Sequence, residues 1–306
     1  MKQIALLIIL FFTFLSVQGQ SLYIKTFGDK NNPAVIFLHG GPRGNSVQFE
    51  ATTARKLAEN FYVIVYDRRG EGRSADENAK LTYQEAFDDL NDIYKTYKIK
   101  KANLIGFSFG GLPTIQFAEK YDEKVNSIVL VSALVSQQET YNHIFDSVKK
   151  TYTEKGDTAK LRKVAIIENL DKNSAEYRGE CFALASENGY FKVNDPSEEA
   201  AKIYEEYKNS ALYKMDIRNN KAPEIFYKNE KRSNIDLYPV LIKLRKKNVP
   251  IYALYGKLDG IFSSAQMNKM KAITGSKNFG LLDNCSHYLY ADQQQTFLNS
   301  IENWLK

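Results

Sequence analysis

Short apolar runs rich in β-branched residues recur along the chain, with segments of helical spacing between them. Strands buried on both faces are nearly continuous hydrophobic runs, and strands that alternate with helices form parallel sheets. The pattern therefore predicts an α/β fold with a mostly parallel central sheet flanked by helices. The predicted strands are residues 34–38, 62–66, 102–105, 127–132, 250–255 and 277–282.

Helices are predicted where apolar residues recur three or four positions apart. Segments 47–59, 82–97 and 112–120 lie between the first four strands, where each can cross from one parallel strand to the next. The last segment, 293–306, also has apolar residues at helical spacing. We expect it to pack as a closing helix.

The alternation of strands and helices ends after the fourth predicted strand. Residues 135–247 are charged, rich in tyrosine and mostly helical in pattern. Ligands of open parallel sheets bind at the carboxyl ends of the strands, so this insertion is interpreted as a cap over that crevice. A second domain packed elsewhere is the alternative. The predicted organisation is a leader at 1–19, a core at 20–134 and 248–306, and a helical cap at 135–247.

The first residues have the features of a secretory signal peptide. Lys2 gives a positive start, residues 4–15 are apolar, and Val17-Gln18-Gly19 supplies small residues for cleavage. A membrane anchor is the alternative, but the apolar run is shorter than the roughly 20 residues that span a bilayer. We expect a mature chain that starts near Gln20, is exported to the periplasm or the medium, and is not inserted in the membrane.

Composition is that of an ordinary globular protein. The 306 residues are 43% hydrophobic and 25% charged, with a formal net charge of +6. This mild excess of Lys and Arg is spread along the chain, which argues against nucleic-acid binding. Cys181 and Cys285 lack the paired spacing of a zinc or redox site. An exported protein could oxidise them into one bridge, and the sequence leaves this open.

The segment Gly106-Phe107-Ser108-Phe109-Gly110 follows a predicted strand and opens a predicted helix. This context is typical of a nucleophile elbow, in which the chain turns so sharply that small residues must flank the turn. The serine hydroxyl then projects above the sheet. We interpret Ser108 as a nucleophile that needs a base.

A histidine is the expected base, because a serine hydroxyl is a weak nucleophile near neutral pH. The chain has three: His39 in a strand-end turn, His143 in the predicted cap, and His287 after the final predicted strand. In hydrolases with this elbow the chain order is serine, acid, histidine, which selects His287. We expect His39 to shape its turn.

The acid that orients the base should follow the strand before it, where the sequence provides Asp259. Asp283 is the competitor, but it is too close in sequence to His287 to approach it from a neighbouring strand. The oxyanion needs two N–H donors. We assign them to Phe109, directly after the nucleophile, and to Gly41, where glycine allows close approach of the backbone.

The charged stretch 67–74 has two readings. Its side chains could touch substrate, but Gly70 and Gly72 favour a tight loop in which Asp67 and the arginines pair locally. We therefore expect a structural role.

Together these motifs resemble the α/β-hydrolase superfamily, over residues 21–132 and 249–306. Within it, the His39-Gly40-Gly41-Pro42 loop is similar to the proline iminopeptidase branch, peptidase family S33. The motifs that carry the resemblance are that loop, Tyr66 to Ser74, Gly106 to Gly111, Gly256 to Asp259, and Ser286-His287.

The resemblance implies a serine exopeptidase that removes N-terminal residues, often proline, from short peptides, without cofactor or metal. In this branch acidic side chains of the cap hold the free α-amino group of the substrate. The sequence does not choose among the cap candidates, and it leaves the oligomeric state open. The candidates are Glu180, Glu187, Glu205 and Glu206.

This chain departs from the branch at three positions. Arg43 follows the HGGP loop where the branch has a glycine, Phe107 replaces a small residue and Phe109 replaces a tryptophan. The fold tolerates these changes, whereas the side-chain selectivity stays open. A carboxylesterase for small acyl esters is the first alternative function, and a non-catalytic binding protein on the same fold is the second.

Overall fold

The computed structural model describes residues 22–306, and the predicted signal peptide therefore lies outside the described residues. Within them, seven strands form one sheet in the order β1-β3-β2-β4-β5-β6-β7. β1 runs antiparallel to β3, and the other pairs are parallel. The strands are β1 (Ile24–Phe27), β2 (Ala34–Leu38), β3 (Tyr62–Tyr66), β4 (Ala102–Phe107), β5 (Val125–Val131), β6 (Ile251–Gly256) and β7 (Phe279–Leu282).

Both faces of the sheet are buried, and residues of alternate parity enter different cores. In β2, Ile36 and Leu38 belong to one hydrophobic cluster, while Val35 and Phe37 belong to the other. This is the two-residue period of a strand. The first face is covered by helices Tyr83–Thr96, Gly111–Lys120, Tyr238–Lys246 and Ser264–Thr274, and the second by segment 47–57 and helix Gln294–Leu305.

Local sequence explains how several of these helices begin. The Thr82 side chain accepts a hydrogen bond from the Glu85 amide, and Ser263 forms a reciprocal capping box with Gln266. Such caps satisfy amide groups that have no partner within the helix. Segment 47–57 is less regular, since a π-helical turn at Glu50–Ala54 interrupts it.

The segment between β5 and β6 is helical, as predicted. We use the name lid for residues 137–229, with the α-helices Gln137–Glu154, Thr158–Glu168, Ala175–Glu187, Glu198–Asn209 and Ala222–Asn229 and the segments between them. The following helix, Tyr238–Lys246, packs on the core helix Gly111–Lys120, with an ion pair of 2.9 Å between Lys243 and Glu119. In the described part of the chain, no helix is both long and apolar enough to cross a bilayer.

The register brings the carboxyl ends of the parallel strands to one edge of the sheet. Leu38 pairs with Gly106, and Gly106 pairs with Leu130. Further along the strand order, Gly256 of β6 pairs with Leu282 of β7. The loops that follow these strands therefore meet at one edge, where a doubly wound sheet binds its ligands.

Candidate active site

The turn after β4 has the backbone of a nucleophile elbow. Ser108 has a φ of +53°, which is uncommon for a residue with a side chain. An added Cβ at Gly110 would overlap the Leu38 carbonyl oxygen, and one at Gly106 would lie 2.6 Å from Thr114 Oγ1. The glycines on either side of Ser108 are thus required by close packing of strand and helix.

Asp259 and His287 are brought together at the ends of β6 and β7. His287 Nδ1 donates to Asp259 Oδ2 over 2.8 Å, and both side chains are buried. The Ser132 hydroxyl donates to the same oxygen over 2.7 Å. Because the proton of His287 is held on Nδ1, Nε2 is the nitrogen that can accept another.

The competing acid lies elsewhere. The Asp283 side chain is 81% exposed and forms an ion pair with Lys257 at the surface. It makes no contact with His287 of the kind that Asp259 makes. His143, in lid helix Gln137–Glu154, is half-buried, and burial lowers the pKa of its imidazole.

Ser108 and His287 line the same cavity, which has a volume of about 740 Å³ and lies between the strand ends and the lid. No hydrogen bond joins their side chains in the described structure. Catalytic hydrogen bonds are often loose until substrate binds, so the lack of this hydrogen bond does not exclude proton transfer from Ser108 to His287.

The lid is attached directly beside the paired acid and base. The Gly260 amide donates to the Tyr190 carbonyl over 3.0 Å, and the Ser286 hydroxyl donates to the Phe191 carbonyl over 3.0 Å. The Phe191 ring packs edge-on against His287, with centroids 5.1 Å apart. Lid residues therefore form one wall of the cavity.

His39 has the structural role expected for it. The side chain is fully buried; Nε2 accepts the Arg68 amide over 3.0 Å, and Nδ1 donates to the Gly40 carbonyl over 2.6 Å. Burial, reinforced by the Arg68 charge, lowers the pKa of His39 to about 3. The imidazole is thus neutral and holds the turn after β2.

An ion pair holds the loop in which Gly41 lies. Arg68 donates to the carbonyls of His39 and Gly40 over 2.5 and 2.9 Å. Its Nε donates to Glu71 Oε2 over 2.8 Å, and Glu71 Oε1 accepts the Gly44 amide over 3.1 Å. Residues 39–44, which we name the oxyanion loop, are fixed in this way. An added Cβ at Gly40 would lie 3.2 Å from Ser108 Cβ, so this loop passes beside the elbow.

The charged stretch 67–74 pairs locally, as predicted. Asp67 is fully buried and accepts hydrogen bonds from the Ser46 hydroxyl over 2.7 Å and from Arg73 Nε over 2.7 Å. Arg73 also donates to Glu50 over 2.7 Å. Gly70 and Gly72 have positive φ values of 75° and 52°, which the tight turn requires.

The two unusual phenylalanines have separate environments. Phe107 lines the cavity and packs against His287 and Tyr290, with centroids 5.1 and 5.2 Å away. Phe109 points the other way and is buried between Tyr83 of the core and Phe226 of the lid. Phe107 therefore shapes the cavity, whereas Phe109 joins the lid to the core.

The four predicted cap acids do not lie together. Glu187 lines the cavity, is half-exposed and pairs with Lys163 at 3.1 Å. Glu180 lies near the same lysine, at 3.9 Å, outside the lining. Glu205 and Glu206 lie on the exposed face of helix Glu198–Asn209 and do not line the cavity.

Several lining residues were not predicted. Asp216 accepts from the Tyr207 hydroxyl and from Asn45 Nδ2, each over 2.8 Å. Arg178 and Arg218 also reach the cavity. Their segments carry no local motif, so only the folded lid identifies them. Among residues 22–306, no cluster of three or more metal-ligating side chains is present, and Cys181 and Cys285 are buried free thiols.

Comparison with known proteins finds relatives of the proline iminopeptidase branch. A proline iminopeptidase from Lactobacillus helveticus (strain DPC 4571) is 21% identical over 296 residues, covering 94% of this chain and 95% of the relative. A proline iminopeptidase-related protein from Thermus thermophilus superposes with a TM-score of 0.66 at 20% identity, covering 93% and 92% of the two chains. The resemblance to the proline iminopeptidase branch is therefore confirmed.

The fold is shared with esterases as well. A thermophilic esterase from Thermogutta terrifontis superposes with a TM-score of 0.58 at 20% identity, covering 93% of this chain and 92% of the esterase. The sequence profile described as the alpha/beta hydrolase fold matches residues 33–294. Since that match spans most of the chain, including the elbow, Asp259 and His287, the protein belongs to the alpha/beta hydrolase fold family.

Proposed function

We propose that the protein is a serine hydrolase that acts by acyl transfer, with Ser108 as nucleophile, His287 as base and Asp259 as the acid that orients the base. The observation that carries this proposal is the 2.8 Å hydrogen bond between Asp259 and His287, beside a cavity that Ser108 also lines. A fixed imidazole with one free nitrogen next to a serine at positive φ is the arrangement that serine activation requires.

The reaction follows in two halves. Ser108 Oγ attacks the acyl carbon while His287 Nε2 takes its proton, and the amides of Gly41 and Phe109 stabilise the oxyanion. Protonated His287 then gives its proton to the leaving group, which departs and leaves an acyl-enzyme on Ser108. His287 next accepts a proton from a water molecule that attacks the acyl-enzyme. It then gives this proton to Ser108 Oγ as the bond between the acyl group and Ser108 breaks, and the acid product is released.

The specific activity we propose is that of an aminopeptidase of the proline iminopeptidase type, which releases N-terminal residues from short peptides. It is supported by the curated relative with that name. Glu187 and Asp216 are the carboxylates that line the described cavity, and we propose them as the partners of a substrate α-amino group. Of the four acids expected from the resemblance, Glu187 is the one that lines the cavity.

A carboxylesterase is the second candidate, because the fold of the Thermogutta terrifontis esterase is also similar. In that case the cavity would accept a small acyl ester, and a free amino group on the substrate would not raise kcat/KM. The chemistry at Ser108 would be the same. A binding protein without activity is the third candidate.

A small substrate panel distinguishes these functions. The mature protein would be assayed on an aminoacyl arylamide, its N-blocked form and a short acyl ester. A higher kcat/KM for the free amine supports the aminopeptidase, and indifference to the amine supports the esterase. Turnover that is equal in the wild type and the Ser108→Ala variant would overturn the serine mechanism. No turnover of any of the three would support the binding protein.

A further inference from the structure

One arginine of the lid is buried at the catalytic cavity without an acidic partner. Arg178, on helix Ala175–Glu187, is 8% exposed and lines the cavity. Its Nη2 donates to the Gly41 carbonyl, whereas its buried Nε has no hydrogen-bond partner among the described residues. None of the ion pairs formed by residues 22–306 includes Arg178.

A purely structural role accounts for only part of this arrangement. The hydrogen bond from Arg178 Nη2 to the Gly41 carbonyl is enough to link the lid to the oxyanion loop. The link does not require the buried Nε, which has no partner among the described residues. Burying a charge without a counter-ion is costly, and buried arginines usually have a carboxylate or phosphate partner. The aromatic rings of Phe182 and Phe109, with centroids 4.8 and 5.9 Å from the guanidinium carbon, hold the group in place.

Two further guanidinium groups line the same cavity. Arg43 follows the HGGP segment within the oxyanion loop, and Arg218 lies after the 3₁₀ turn Ala211–Met215. Partial burial and then the positive charges of Arg218 and Arg178 lower the pKa of Arg43, so both guanidinium groups lie close enough to Arg43 to repel it. The hydrogen bond of Arg43 is to the neutral Asn220 side chain, over 3.3 Å.

The carboxylates of the cavity do not neutralise these arginines. Glu187 pairs with Lys163, and Asp216 accepts from Tyr207 and Asn45. Counting Lys192, the described lining has four cationic side chains and two carboxylates. The described lining of the cavity therefore has an excess of positive charge.

We propose that Arg178, together with Arg43 and Arg218, forms a subsite that binds a carboxylate carried by the substrate. The inference rests on the proposed function, because it concerns the substrate of the Ser108 cavity. A guanidinium matches a carboxylate with two parallel hydrogen bonds, which the single ammonium of a lysine does not provide. Since Arg178 is bonded to Gly41, the carboxylate lies within a few bonds of the scissile carbonyl.

Binding to the Ser108→Ala variant tests the subsite without turnover. Two matched pairs of probes differ in one charge: monomethyl and dimethyl succinate, with the carboxylate on the acyl side, and alanylalanine and alanylalaninamide, with it on the leaving group. Calorimetric titration should give at least tenfold tighter binding of the charged member in one pair. An additional Arg178→Gln change should abolish this difference in affinity. Arg178→Lys should retain part of the difference, because lysine keeps the positive charge but cannot donate two parallel hydrogen bonds to a carboxylate.

Arg162→Gln is the matched control, because Arg162 is an exposed arginine of the lid outside the cavity lining. It should leave the tenfold difference unchanged. If Arg178→Gln does not give a folded protein, as judged by its thermal unfolding, Arg218→Gln at the exposed side of the cluster should reduce the difference.

The proposal is overturned if the neutral member of both pairs binds as tightly as the charged one, or if inorganic phosphate binds and neither carboxylate does. It is also overturned if Arg178→Gln and Arg162→Gln have the same effect. Failure of the serine mechanism would instead be seen as turnover by the Ser108→Ala variant. The two hypotheses can therefore fail independently.

Discussion

Asp259 determines which nitrogen of His287 is free to accept a proton. It accepts a hydrogen bond from the Nδ1–H of His287, and the Ser132 hydroxyl donates a second hydrogen bond to the same carboxylate oxygen. Chain order predicted the residue, and its burial explains why Asp283, which is exposed and paired with Lys257, cannot replace it.

The Asp259→Asn variant is expected to lower kcat by about 10³ to 10⁴-fold, because an amide no longer enforces the Nδ1-protonated tautomer. Asp283→Asn is the matched control and should keep wild-type kcat. Steady-state rates on the substrate found in the panel would measure both. Equal rates for the two variants would contradict the role of Asp259.

His39 should make the protein sensitive to acid. Its pKa is lowered from an ordinary value of 6.5 to about 3 in the folded state, so the unfolded chain binds the proton first. Stability from this residue is complete above pH 6.5 and is lost as the pH falls toward 3, at a rate of up to about 1.4 kcal/mol per pH unit.

The measurement is the free energy of unfolding of the wild type minus that of His39→Gln, at pH values between 7 and 5. Glutamine does not titrate, so the difference isolates His39 from other acid-sensitive groups. It should become smaller with decreasing pH. A constant difference over this range would rule out a proton-free buried His39.

Other residue-level features could not be predicted from the sequence. Glu187 was one of four candidate acids, and only the folded lid separates it from Glu205 and Glu206 on an exposed helix face. Arg178 had no signal at all, because nothing local to residues 175–187 indicates which side chain meets the Gly41 carbonyl.

At the level of elements, buried strands were predicted better than edge strands. The continuous apolar runs of β2 and β3 gave the observed bounds, Ala34–Leu38 and Tyr62–Tyr66. β1 was missed because it has four residues, lies at the edge and is only partly buried. Helix Ser264–Thr274 was missed as well, since its apolar residues do not form a clear stripe.

The oxyanion loop depends on the ion pair between Arg68 and Glu71. Glu71→Gln should weaken the ion pair with Arg68 and the hydrogen bond from the Gly44 amide, so that the loop can shift. We expect kcat to fall about 10 to 100-fold with little change in KM. Glu77→Gln, at an exposed position in the same region, is the control. Because Glu71 acts through the loop, a change in KM alone would show that it has another role.

For the whole molecule, the sequence predicted a hydrolase core with a helical insertion at the carboxyl ends of the strands. The helices and the lid wall of the cavity agree with this interpretation. What could not be predicted is how the lid docks, because the contacts of Tyr190 and Phe191 with the loops of Asp259 and His287 join residues far apart in sequence.

The predicted signal peptide, residues 1–19, determines where the whole protein is expected to be found. The full chain, expressed in a bacterium with a secretory pathway, should be recovered outside the cytoplasm with residues 1–19 removed, because the sequence prediction is that Lys2 and the short apolar run belong to a cleavable leader. Intact mass and N-terminal sequencing would measure this, with a chain starting at Gln20 as the control that stays in the cytoplasm. Recovery of uncleaved protein in the membrane would favour the anchor.

Labelling with a fluorophosphonate tests the serine mechanism most directly, because the probe reacts with a serine whose hydroxyl is activated by neighbouring residues of an active site. We predict that the native protein is labelled at Ser108, as located by peptide mass spectrometry, and that Ser108→Ala and heat-unfolded protein are not. Native protein that stays unlabelled at neutral pH, or that is labelled at another residue, would contradict the account.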